Sequence, residues 1–275
     1  MTDSGCLPMP VLSRRLNCDW PDNVLSILTD QKLDEIREWF DAEGNRSSLL
    51  DDDLLPHASI SFAPLYRRPR KIWGIGLNYQ AHAQDLSEKT PESEPASFMK
   101  PDTAIIGHGD EIRLPALSQK VTGEAELGLV FGKNCKNVDR KDWRSVLAGY
   151  TTILDMTAED ILRRNPRNLT QSKSFDTFFS FGPILYTMDE VDDPMGLQVQ
   201  TVINGSVHAE NTVVNMTFPP DVLVSYHTKI MTMLPGDIIS TGTPGAAPLK
   251  HGDTIECRIG EFHPLVNRVV DGKDA

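Results

Sequence analysis

Gly123-Glu124-Ala125-Glu126-Leu127-Gly128-Leu129-Val130-Phe131 reads as a β-strand with two carboxylates on one of its faces. The apolar run 127–131 has the length and composition of a buried strand. Residues i and i+2 of a strand project to the same side, so Glu124 and Glu126 stand next to each other. Two like charges so placed repel unless a cation sits between them, and an oxygen-only pair suits a hard ion such as Mg²⁺. An isolated E-x-E also describes a solvated strand edge, so the rest of the chain has to decide between the two.

Outward from this stretch, the sequence from Lys71 onward is β-rich. Residues 72–77, 150–154, 183–186, 197–203, 237–241 and 254–259 read as short strands. Turn signals at Asn204-Gly205, Pro235-Gly236-Asp237 and His251-Gly252-Asp253 separate several of them. Helices are expected at about 158–164 and 220–233. Short strands with helices inserted between them predict an α+β fold, a β-rich mixed-sheet roll rather than a doubly wound sheet. Residues 1–68 differ: 22–40 carries an interrupted helical face, with Asp30 as N-cap of a second piece. A polar loop, the acidic run Asp51-Asp52-Asp53 and a Pro/Arg-rich linker near 62–71 follow. The expected organisation is a small N-terminal domain, 1–68, and a catalytic domain, 69–275.

Composition narrows the classes of function. The chain has 275 residues, 39% hydrophobic and 24% charged, as expected of a soluble globular protein. A formal net charge of -12 argues against nucleic-acid and anionic-membrane partners. No apolar run reaches membrane-span length and no secretory signal opens the chain. The four scattered cysteines, without a C-x-x-C pair, read as free thiols in a reducing cytosol, so a cytoplasmic location is expected.

Three further segments carry chemistry. Asp155 is a third carboxylate, read as ending the strand 150–154 just before a helix, and three carboxylates fill one side of an octahedral ion site. His82 and Asp85 stand at i, i+3, where on a helix they share a face and a carboxylate tunes an imidazole toward general base. The polar stretch 88–94 after them has the character of a mobile lid. Lys173, in Lys173-Ser174-Phe175-Asp176, offers a positive charge for a substrate carboxylate or a developing enolate. Ser240-Thr241-Gly242-Thr243-Pro244-Gly245 follows a strand, and its N–H groups and hydroxyls suit a carboxylate. Taken singly, each also fits a surface ion pair, a solvated lysine or a plain turn.

In this order, the segments resemble the fumarylacetoacetate hydrolase family, in particular its acylpyruvate hydrolase and 2-hydroxyhepta-2,4-diene-1,7-dioate isomerase members. The resemblance rests on Gly76–Ala83, on Pro95-Ala96-Ser97-Phe98-Met99-Lys100-Pro101, on Glu124-x-Glu126 with Asp155, on 173–176, on 202–205 and on 234–244. It implies a roll of mixed sheets, Mg²⁺ or Mn²⁺, a 2-oxo acid substrate and a homodimer. It also implies Glu124, Glu126 and Asp155 as metal ligands, His82 with Asp85 and Lys173 as catalytic groups, and Gly242 and Thr243 as substrate-binding residues. Lys100 matches a motif position and is given only a structural or peripheral role. The expected activity is hydrolysis of a C–C bond in an acylpyruvate-like or 2,4-dioxo acid. Isomerisation (tautomerisation) or decarboxylation of a 2-hydroxy-dienoate or oxaloacetate is the alternative. All these routes pass through an enol or enolate chelated by the metal.

The chain departs from the family pattern at four single positions and in the ending Thr243-Pro244-Gly245-Ala246-Ala247, where P-x-G-V-G is frequent. Asp85 stands where the hydrolases often have Glu, Glu159 where Arg is frequent, and Leu162 where Gln is frequent. Ile75 occupies the position of a fourth acidic ligand, so three protein ligands are expected.

Overall fold

The computed structural model describes residues 5–42, 45, 53–80, 91 and 93–272. His82, Asp85, Asp51, Asp52 and the 88–90 and 92 portions of the expected lid lie outside the described residues. The chain folds as two compact units, Met1–Phe62 and Ala63–Ala275.

The first unit carries helices α1 (Met9–Leu16), α2 (Val24–Thr29) and α3 (Leu33–Asp41). The side chain of Asn23 accepts the Ser26 N–H at 2.9 Å and starts α2. Asp30 ends α2 instead of capping α3 as expected: its N–H returns to the Ser26 carbonyl. Gln31 then turns the chain through a φ of 56°, and α3 begins only beyond Lys32.

The second unit is built on strands β1 (Ile72–Gly76), β2 (Ala96–Lys100), β3 (Ile105–Ile106), β4 (Glu111–Leu114), β5 (Val121–Phe131) and β6 (Leu147–Ala158). Helices α4 (Glu159–Arg164) and α5 (Leu169–Lys173) follow, then β7 (Phe179–Phe181), β8 (Tyr186–Thr187), β9 (Gln198–Ile203) and β10 (Ser206–Thr212). Helix α6 (Pro220–Ile230) precedes β11 (Ile238–Ser240), β12 (Ala246–Leu249), β13 (Thr254–Ile259) and β14 (Leu265–Asp271). The larger sheet has the order β2-β1-β11-β5-β6-β7-β3, with β12 added to β5 and β8 to β6. The smaller has the order β10-β9-β13-β14-β4. Parallel pairs (β1 with β11, β3 with β7, β4 with β14) occur beside antiparallel ones, so both sheets are mixed, as expected of an α+β roll.

β5 and β6 are longer than the sequence suggests. They run for 11 and 12 residues and are buried throughout. Asp155 therefore does not end its strand: it pairs with Glu124 on one side and Phe179 on the other, and β6 continues to Ala158. The alternation of β5 divides the work. Ala125, Leu127, Leu129 and Phe131 join Leu154, Met156, Val199, Ile255, Cys257 and Ile259 in the core shared with the smaller sheet. Gly123 lies on that face, where a Cβ would come within 2.3 Å of Ile255 Cδ1. The opposite face of β5 carries Glu124 and Glu126. The β9–β10 hairpin turns at Asn204 and Gly205, both with positive φ (50° and 79°), as a tight turn that matches strand twist requires.

Candidate metal centre

Register assembles the site. On the larger sheet Glu124 faces Asp155, Gly128 faces Ser240, Ser240 faces Gly74 and Gly74 faces Phe98. Directly paired residues share a face, and so do residues two apart. Glu124, Glu126, Asp155, Thr157, Ser240, Gly74, Phe98 and Lys100 therefore all project from one side of the sheet. Gly74 leaves that side open for an aromatic ring: a Cβ there would lie 2.3 Å from Phe98 Cζ.

One oxygen from each of Glu124, Glu126 and Asp155 lies within 4.8 Å of the others, and all three residues are buried. That span is close to the roughly 4–5 Å across one oxygen-ligated divalent ion. Each carboxylate is held in place. Thr157 Oγ1 donates to Glu124 Oε1 at 2.9 Å. Ser240 Oγ and the Gly242 N–H donate to Glu126 Oε2 at 2.5 and 2.8 Å. Lys173 Nζ donates to Glu124 Oε2 at 3.0 Å and to Asp155 Oδ2 at 2.9 Å, and sits 4.7 Å above the Phe98 ring. Lys100 Nζ donates to Asp155 Oδ1 at 2.5 Å and to the Met156 carbonyl at 3.1 Å.

Burial is the first cause acting on each shifted group in the site. Burial, and then the charges of Asp155 and Glu124, push the Glu126 carboxyl up to about 8. Three ionised carboxylates would exceed the two lysine charges by one. Burial brings Lys100 down to about 8, against the upward pull of Asp155. Burial also acts downward on Lys173, but Asp155, Glu124 and Glu126 outweigh it and hold this ammonium above its ordinary value. Three hard oxygen donors with an excess of negative charge fit a divalent cation of the Mg²⁺ or Mn²⁺ kind.

Of the residues singled out from the sequence, Glu124, Glu126, Asp155 and Lys173 come together here. Gly242 is adjacent, but its N–H is donated to Glu126. Thr243 Oγ1 bonds within its own turn, donating to the Gly245 carbonyl at 3.1 Å and accepting the Gly245 N–H at 3.2 Å. Ile75 is 2% exposed and belongs to the core, so no fourth carboxylate enters from β1. Lys100, given a structural or peripheral role from sequence, is not peripheral: its side chain is fully buried against Asp155. Its only signal was the motif position between Phe98 and Pro101. Asn78 was also missed: its amide donates to the Phe218 and Thr241 carbonyls at 3.0 and 2.7 Å and accepts the Phe218 N–H at 2.8 Å. It thereby ties the end of β1 to the turn that serves Glu126.

Comparison with known proteins identifies the family. The sequence pattern of the family described as fumarylacetoacetate (FAA) hydrolase C-terminal matches residues 71–270. The mitochondrial oxaloacetate tautomerase FAHD2A of Homo sapiens is 35% identical over 226 residues, covering 79% of this chain and 72% of the relative. The crystal structure of 2-hydroxyhepta-2,4-diene-1,7-dioate isomerase from Mycobacterium marinum is 34% identical, with a TM-score of 0.71 over 79% of this chain and 81% of that one. Maleylpyruvate hydrolase from Sphingobium sp. SYK-6, solved with manganese(II) and pyruvate, is 29% identical. It has a TM-score of 0.77 over 95% of this chain and 92% of its own. With the family pattern matched across nearly all of the second unit, and with relatives this similar over most of their length, the chain belongs to the fumarylacetoacetate hydrolase family.

Proposed function

We propose that this chain is a divalent-metal-dependent enzyme that enolises a small 2-oxo acid, acting as a tautomerase or isomerase. The observation that carries the reading is the cluster of Glu124, Glu126 and Asp155 on one sheet face with the Lys173 ammonium 3.0 and 2.9 Å from two of them. The 35% identity to an oxaloacetate tautomerase supports it. Glu124, Glu126 and Asp155 would hold Mg²⁺ or Mn²⁺, which when bound supplies Lewis-acid polarisation of a carbonyl. The chain's own groups do the rest. Ser240, Gly242 and Thr157 orient the carboxylates through the hydrogen bonds described above. Lys173 places a fixed positive charge where enolate charge develops as a proton leaves the carbon next to the carbonyl. In this reading His82, with Asp85, moves that proton, and the turn at Gly242 and Thr243 receives the substrate carboxylate.

C–C bond hydrolysis of an acylpyruvate-like or 2,4-dioxo acid is the second reading. The likeness to maleylpyruvate hydrolase over 95% of the chain favours it. Incubation of oxaloacetate and of acetylpyruvate with the Mn²⁺-loaded protein in D₂O or H₂¹⁸O separates the two. Enolisation gives deuterium at the carbon next to the carbonyl and no ¹⁸O in a released acid. Both chelation and Glu126→Ala abolish the exchange while circular dichroism shows the fold retained. Solvent ¹⁸O in an acetate product would make hydrolysis the activity, and full activity after metal removal would sink the metal reading altogether.

A further inference from the structure

The reading above gives Lys100 no task, yet it is the most thoroughly enclosed cation described in the site. Its side chain is 0% exposed, as is that of its partner Asp155. It extends from β2, which is paired residue for residue with β1, so the ammonium is delivered by a strand and not by a loop. The two oxygens of Asp155 are shared between two lysines, Oδ1 with Lys100 and Oδ2 with Lys173. With all three carboxylates ionised, as they would be around a divalent cation, they and two ammonium groups sum to a formal charge of -1, which the cation would turn into +1. Without Lys100 the same sum is -2 before loading and 0 after it.

We propose that Lys100 is a positioning residue that acts as a resident countercharge, weakening the hold on the divalent cation and strengthening the hold of the loaded site on a small carboxylate anion. The inference rests on the metal reading above and deepens it. Lys100 and the cation repel each other across the shared carboxylate, and both attract an anion placed over the site. Metal and anion affinity are thus traded against each other through one buried side chain, and two ligands coupled in this way respond in opposite senses to its removal.

The test uses the full chain at pH 7, with Mn²⁺ as metal and oxalate as the probe anion. Lys100→Met removes the charge, and Lys100→Gln removes it while keeping N–H donors for Asp155 and the Met156 carbonyl. In both variants Mn²⁺ binding should tighten by roughly fivefold or more, while oxalate binding to the Mn²⁺-saturated protein weakens by at least as much. Weakening of both affinities, or no change in either, overturns the proposal. So does a Lys100→Gln variant that matches the wild type, because hydrogen bonding and not charge would then be the role. A variant that stays unfolded in saturating Mn²⁺ counts against it as well, since the cation should replace the missing charge. Failure of the wild-type protein to bind Mn²⁺ would instead remove the metal reading, and this inference with it.

Discussion

At Glu159, burial and pairing pull in opposite directions. Lys120 Nζ lies 2.7 Å from Oε2 and Arg163 Nη2 lies 2.6 Å from Oε1. Burial alone would raise the carboxyl pKa, but the hydrogen bonds and charges of Lys120 and Arg163 outweigh it and hold it below its ordinary value. A carboxyl that is more acidic when folded adds stability above the unfolded glutamate value of about 4.3, and that stability is lost as pH falls through the folded pKa. Both cations are about half exposed, which keeps the effect small. Glu159→Gln should cost about 0.5–1 kcal/mol at pH 7, and the difference should vanish at acid pH. Urea unfolding across a pH series measures it, and a difference that does not change with pH would contradict the assignment. From sequence, Glu159 was legible only as a departure from a family pattern, because its partners come from a loop before β5 and from the next helical turn. Glu124, Glu126 and Asp155 were legible because strand spacing alone fixes which way they point. Lys100 was not, because nothing local shows that β2 will lie on the same sheet as β6, several strands away.

On the scale of single elements, β1 shows how a missing side chain builds a site. Gly74 lies under the Phe98 ring, and that ring carries the Lys173 ammonium. Gly74→Ala forces a contact far inside van der Waals distance, which should cost about 1–3 kcal/mol through overpacking. For a unit of this size that lowers the melting temperature by roughly 2–10 °C. An unchanged melting temperature in calorimetry would show that Phe98 can move away freely. Strand existence was read only in part: the expected stretches fall on β1, β5, β6, β9, β11 and β13, 183–186 meets β8 at Tyr186 alone, and β2, β4, β7, β10, β12 and β14 were not read. The stretch 127–131 is the C-terminal half of β5 and 150–154 the middle of β6, while Glu124, Glu126, Asp155 and Thr157 lie inside the same two strands. Polar residues that look like strand ends are buried interior when the polar groups satisfy one another. Helix α5 was missed because its five residues, Leu169–Lys173, show too little periodicity, and the two-residue β3 and β8 are defined by their partners alone.

Taken as a whole, the molecule keeps its carboxylate cluster within one unit. The family pattern covers 71–270, inside the unit Ala63–Ala275, and every described residue of the carboxylate cluster belongs to that unit. A chain beginning at Ala63 should therefore fold and bind Mn²⁺ with affinity within about threefold of the full-length protein, a difference below 1 kcal/mol. Titration calorimetry on both chains decides it, and loss of binding on truncation would place a determinant of the site within the first 62 residues. Among the described residues, no helix is long and apolar enough to cross a membrane. The fold class was legible from short strands and their turns, whereas the strand order was not. β11 enters between β1 and β5 although more than a hundred residues separate it from either, and only packing chooses that neighbour.

The two-sided character of β5 has a consequence for how such a chain can diverge. Substitutions on one side can alter the chemistry, and substitutions on the other can repack the core, each with little effect across the strand. An insertion or deletion of one residue between Val121 and Phe131 would exchange the sides, turning carboxylates into the core and leucines into the cradle. The spelling of this strand is therefore freer than its length, and new activities on this scaffold are reached by replacing residues rather than by adding or removing them here.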